Sequence, residues 1–117
     1  MNIILGQSQA EQLKDKHLVL ELDTITIGNS NPITAYCVVE ELPLNEIPLI
    51  EPLTKLHTSL MENYRKRDWR YCEQAIHELI GKWGNQVDTF YADLLERVTQ
   101  YKQTEPDESW TGIIAKN

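Results

Sequence analysis

The chain has 117 residues, 41% hydrophobic and 25% charged, with a formal net charge of −7. That length suits one unit or a small unit with an appendage, and the balance is globular, not disordered. The acidity argues against a nucleic-acid backbone as partner, the apolar runs are too short for a membrane span, and Met1-Asn2-Ile3-Ile4-Leu5-Gly6 does not read as a secretion signal, so a cytoplasmic protein is expected.

Asn2 to Leu5 reads as a short strand, broken by Gly6. Ser8 followed by Glu11 three residues later is a capping-box pattern and predicts a short helix ending near Asp15-Lys16. From Leu18 the period becomes two. Leu18, Leu20 and Leu22 alternate with Val19, Glu21 and Asp23, then Ile25 and Ile27 alternate with Thr24 and Thr26. The apolar phase slips by one residue near Asp23, which predicts a β-bulge. Gly28-Asn29-Ser30-Asn31-Pro32 is a turn cluster, and Ile33 to Glu40 is the returning strand of a hairpin.

Leu42-Pro43-Leu44-Asn45-Glu46-Ile47-Pro48 reads as a linker, after which the period becomes helical. Leu49, Leu53, Leu56, Leu60 and Tyr64 form a first stripe. Asp68 is a candidate N-cap for a second helix carrying Trp69, Cys72, Ala75, Ile76, Leu79, Ile80 and Trp83, closed by Gly84-Asn85. A third helix carries Val87, Phe90, Leu94, Val98 and Tyr101 and stops at Pro106, leaving a largely polar tail with Trp110 and Ile113-Ile114. The aromatic, polar turn, Asp-aromatic and small-residue order from Asn63 to Leu79 resembles one tetratricopeptide turn. A single such unit does not make a repeat array.

The expected fold is therefore α+β: a short helix and a small antiparallel sheet, with its hairpin at 18–40, followed by a three-helix, tetratricopeptide-like unit. The expected division is a strand–helix–hairpin subdomain at 1–42, a linker at 43–48, the helices at 49–105, and a tail at 106–117 packed through Trp110.

The chemistry-bearing residues are sparse. Cys37 and Cys72 lack a C-x-x-C spacing and read as small buried hydrophobes. His17, His57 and His77 show no ligand spacing, so no metal site is expected. Asp15, Asp23, Glu40 and Glu41 read as solvated charges, and neither a nucleophile–base pair nor a phosphate-cradling loop stands out. The cations cluster once, at Arg65-Lys66-Arg67 and Arg70.

The order of elements resembles the C-terminal end of bacterial class III adenylate/guanylate cyclases. "NIILGQSQAEQLKDK" looks like the strand and short helix after that family's catalytic Asn-x-x-x-Arg motif. Leu22-Asp23, Ile25, Ile27, Pro32, Ile33, Tyr36 and Val38 match its hairpin pattern, and "YRKRDWRYCEQAI", "DTFYADLLERVTQY" and "ESWTGIIAK" resemble its helical extension. Trp110-Thr111-Gly112-Ile113 stands where that extension commonly has W-D-G-V. By this resemblance the metal-binding aspartates and the transition-state Asn and Arg would precede Asn2. The turn at 28–32 lacks the lysines that contact phosphate in some cyclases, under either register.

The resemblance and the residues together imply a protein without catalytic residues, cofactor or metal, acting through protein–protein contact as a homodimer or with another chain; the alternative is a small nucleotide-binding or nucleotide-sequestering protein built on Arg65, Lys66 and Arg70. The candidate interaction surface is Leu18, Leu20, Leu22, Tyr36 and Val38 of the hairpin with Arg65, Lys66 and Arg70 beside it. Neither nucleic acid nor a membrane is an expected partner.

Overall fold

The computed structural model describes residues 2–14, 17–28, 31–40 and 48–116. Its elements run β1 (Asn2–Leu5), α1 (Gln7–Leu13), β2 (Leu18–Ile27), β3 (Ile33–Val39), α2 (Ile50–Arg65), α3 (Trp69–Leu79), α4 (Asp88–Gln103) and β4 (Ile113–Lys116). The protein is α+β. The predicted linker, most of which lies at 41–47, and Asn29-Ser30 of the hairpin turn fall outside the described residues.

The sheet order is β1-β3-β2-β4, with β1 and β2 antiparallel to β3 and β4 parallel to β2. Leu20 pairs with Cys37 and Leu18 with Val39, so these residues share a face. That face meets the helices: Leu20, Leu22, Ala35, Cys37 and Val39 join Leu60, Met61, Ile76, Leu79, Leu94 and Val98 in one continuous core. Tyr36 points to the opposite face. There α1 lies against the sheet through the fully buried Ala10, and the Lys14 Nζ sits 5.9 Å from the Tyr36 ring centroid.

The predicted bulge is present. Glu21 pairs with Tyr36 and Thr24 with Thr34, so Leu22 and Asp23 together oppose Ala35 alone. Leu22 keeps the core phase of Leu18 and Leu20, and the extra residue lets Asp23 reach toward α4 as well. Beyond it, Thr24 and Thr34 come together with their hydroxyls 3.0 Å apart.

Several local expectations are corrected. The capping box does not form: Gly6, at φ 100°, occupies the N-cap position of α1, and the helix begins one residue before Ser8 could cap it. The second helix ends at Leu79 and not at Gly84, because Ile80 turns to ψ 130° and Gly81 follows at φ 81°. Trp83 therefore sits in the 80–87 turn, although it is completely buried as the core reading requires. Asp68 does cap α3, its carboxylate accepting from the Tyr71 N–H at 3.1 Å. The last segment is more than a polar tail: Ile113–Lys116 adds an edge strand to β2.

The end of α2 carries a Schellman motif. The Asp68 N–H donates to the Asn63 carbonyl and the Arg67 N–H to that of Tyr64, with Arg67 left-handed at φ 67°. Glycine is the usual residue in this conformation, so the guanidinium has a reason to be retained there.

Leu20 is 2% exposed and Ile3 57%. Leu20→Ala is expected to lower the unfolding free energy by about 2–5 kcal/mol, whereas Ile3→Ala changes it by less than about 0.5 kcal/mol. Urea titration of both variants checks this, and equal small effects would contradict the placement of the sheet against the helices.

Candidate functional site

The hairpin residues expected to form a surface are divided by the fold. Leu20 and Leu22 lie in the core at 2% and 3% exposure, which corrects their assignment to an accessible face. Leu18 is half-buried against that core, Tyr36 is covered, and Val38 is half-buried on the α1 side. The exposed apolar residues at the sheet lie elsewhere: Ile3 and Leu5, at 57% and 49%, share one side of the edge strand β1. Their exposure was not legible in a run of four residues that reads equally well as an interior strand.

The cationic group is also divided. Arg65 forms an ion pair with Glu21, while Lys66 and Arg70 are exposed. Arg67 turns the other way and binds the last segment: its guanidinium donates to the carbonyls of Pro106 (3.0 Å), Asp107 and Trp110 (3.3 Å) and pairs with Glu105 at 3.4 Å. It also stacks 5.4 Å from the Trp110 ring.

Asp23 is not a solvated charge. The Arg97 guanidinium donates to both of its carboxylate oxygens, at 3.1 and 2.8 Å, and to the Tyr64 hydroxyl at 3.2 Å. Both ion-pair side chains are about four-fifths covered, at 20% and 19% exposure. Burial opposes the charge on Arg97, but the hydrogen bonds and charge of Asp23 outweigh it and hold the pKa above the ordinary arginine value. The bulge makes this pair, because it turns Asp23 toward α4.

A buried polar relay lies beneath. The Trp83 Nε1–H donates to the Tyr91 hydroxyl at 2.9 Å; that hydroxyl is 2.9 Å from His57 Nδ1; and His57 Nε2 is 2.5 Å from the Glu21 carbonyl oxygen. A carbonyl only accepts, so Nε2 carries the proton and Nδ1 accepts from Tyr91. Every polar atom of the three side chains is then satisfied with a neutral imidazole. Burial holds the His57 pKa down to about 4 and pushes that of Tyr91 up. His57 lies in phase with Leu53 and Leu60 on α2, and that position was the available signal for a buried histidine.

Burial likewise pushes the Cys37 thiol up to about 11 and the Cys72 thiol to about 12, so neither is a thiolate near neutrality. Among the described residues, no group of three or more His, Cys, Asp or Glu could hold a metal ion. No described helix is long and apolar enough to cross a membrane. No family model, curated protein or solved structure matches the chain.

The His57 pKa is depressed in the folded state relative to the ordinary 6.5. Its contribution is therefore complete above about pH 6.5 and is lost as pH falls toward 4, by about 3 kcal/mol in all. His57→Gln, which retains a donor and an acceptor, is expected to flatten the dependence of urea stability on pH over that interval. An unchanged slope would contradict a neutral buried imidazole. Arg67→Gly relieves a left-handed residue but removes the guanidinium contacts, and it is expected to lower the melting temperature. A rise would show that backbone relief exceeds the clamp.

Proposed function

We propose that this chain is a non-catalytic protein that acts by protein–protein association, in keeping with its resemblance to the closing part of class III cyclases, and that its partner is a second copy docking at the edge of β1, which pairs with no other strand than β3 among the described residues. The observation that carries this reading is the pairing of exposure with lack of charge on that strand. Asn2–Leu5 pairs with β3 on one side. It holds neither a charged residue nor a proline, and it presents Ile3 and Leu5 to solvent. Edge strands that must stay alone are generally guarded by lysine, proline or a bulge, and β1 has none of these among its residues.

A second copy fits because an antiparallel β1–β1 pair is self-complementary: a twofold axis repeats the same contacts on both chains. Several described groups that could serve chemistry are committed to structure. Asp23 and Glu21 neutralise arginines, His57 is satisfied within the core, and both thiols are held protonated. Arg65 and Arg67 are engaged with Glu21 and with the last segment, which weakens the nucleotide-binding alternative.

Two chains of net charge −7 repel. Self-association is therefore expected to strengthen with salt, which screens that repulsion within about 10 Å at 0.1 M ionic strength. Sedimentation at micromolar concentration is expected to show a species heavier than 13.6 kDa. Leu5→Lys, at an exposed position, is expected to return it to that mass without altering the helical circular dichroism. A 13.6 kDa species at all salt concentrations would overturn the reading.

A further inference from the structure

We infer that the socket around Trp110 and the neighbouring edge of β2 form a peptide-docking groove, filled in the resting chain by its own 105–116 segment, whose partner in trans is an extended segment of the form Trp-x-Gly followed by two β-branched residues. The inference rests on reading the chain as an interaction protein and adds a second, separate surface to it.

The groove recognises its occupant in three ways. The first is an indole anchor. Trp110 packs against Tyr64, Trp69 and Tyr101 with ring centroids 5.2, 5.5 and 5.4 Å away, and these three rings come from the ends of three different helices. The second is the backbone. Arg67 binds three carbonyl oxygens of the segment, at Pro106, Asp107 and Trp110, so it holds the main chain of the turn that leads into Trp110 without regard to most of its side chains. The third is strand addition. Ile113 and Ile114 lie beside Thr24 and Ile25, and the segment continues the sheet in parallel register.

The glycine requirement follows from Gly112. It sits at φ 88°, and a Cβ there would lie 3.2 Å from the Arg65 Cγ. A side chain at that place would be strained and would press on the arginine paired with Glu21, so a partner needs glycine two residues after its tryptophan.

The occupant is built to leave. Within itself the segment makes a tight turn, the Trp110 N–H donating to the Asp107 carbonyl and the Ser109 N–H to the Asp107 carboxylate; its anchoring contacts to Arg67 and to the three rings lie on the body of the protein. It has no helix, its strand is four residues long, and Ile113 remains 37% exposed. Thr104, at φ −136° and ψ 96°, breaks cleanly from α4 and separates the segment from the helical core. Such short, partly exposed elements open at lower free energy than core strands. A tethered occupant competes at an effective concentration of about millimolar, so a partner gains access when its local concentration is high or when the segment is displaced.

The full chain provides the test. Hydrogen exchange is expected to release the Ile113–Lys116 amides at least about 100-fold faster than the β2–β3 ladder at Leu20 and Cys37. A labelled synthetic peptide of residues 105–117 is expected to bind the full-length Trp110→Ala variant at least about tenfold more tightly than the parent, and Trp110→Ala in the peptide is expected to abolish binding. Co-exchange of β4 with the β2–β3 ladder would overturn the inference, as would equal binding to parent and variant or no binding to the folded variant. Loss of helical structure in the variant would also overturn it, by making the segment part of the core. None of these outcomes bears on the β1 edge, whose association is read separately by sedimentation.

Discussion

The imidazole of His57 joins the two layers of this protein. Its Nε2–H donates to the Glu21 carbonyl of β2, and its Nδ1 accepts from Tyr91 of α4, which in turn accepts from Trp83 of the 80–87 turn. An unpaired polar group in such a site would cost about 1–3 kcal/mol, so each member constrains where the others sit. Helix α2, helix α4, the turn between α3 and α4, and the central hairpin strand are thereby held in one relative position. The apolar core closes around this relay.

The bulge at Leu22 and Asp23 is the second constraint, and it acts one residue further along the same strand. Without the extra residue, Asp23 would point to the α1 face and Arg97 would be left partly buried without its carboxylate. With it, the strand places a leucine in the core and an aspartate against α4 side by side. Glu21 pairs with Arg65 nearby, so the acidic residues of β2 neutralise two of the cations contributed by the helices. Sheet and helices are thus bound by charge as well as by apolar contact, and Leu20, Leu22, Ala35, Cys37 and Val39 on the helix-facing side of the hairpin are buried. That is why association is assigned to the edges of the sheet.

Much of this arrangement could be read from the chain. The alternation from Leu18 to Ile27 marked both the strand and its slip, and the stripe from Val87 to Tyr101 marked α4, because each pattern spans enough residues to express its period. Asp68 announced its helix by its position before Trp69. The failures are those of partnership over distance. Nothing local to Asp23 names Arg97, and nothing local to Arg67 names the carbonyls of Pro106 and Trp110. Ile113-Ile114 became a strand only because β2 presented an edge to it, and Leu20 and Leu22 were placed on a surface because three helices could not be assigned to a face from periodicity alone. The His57 relay was missed: the histidine was read only as lacking ligand spacing, although its phase with Leu53 and Leu60 offered a signal, and its partners had none.

Sheet and helices share one core and so form one cooperative body, and the association proposed at the sheet edge requires that the hairpin face stay buried within it. Two native thiols report on it directly: Cys37 in β3 and Cys72 in α3, both fully buried. Thiol labelling of the unmodified chain across a urea titration, with each site read by mass spectrometry, measures their exposure separately. One shared midpoint for Cys37 and Cys72 is the predicted result. Reaction of Cys37 at distinctly lower urea than Cys72 would show a sheet that opens on its own and would contradict the account.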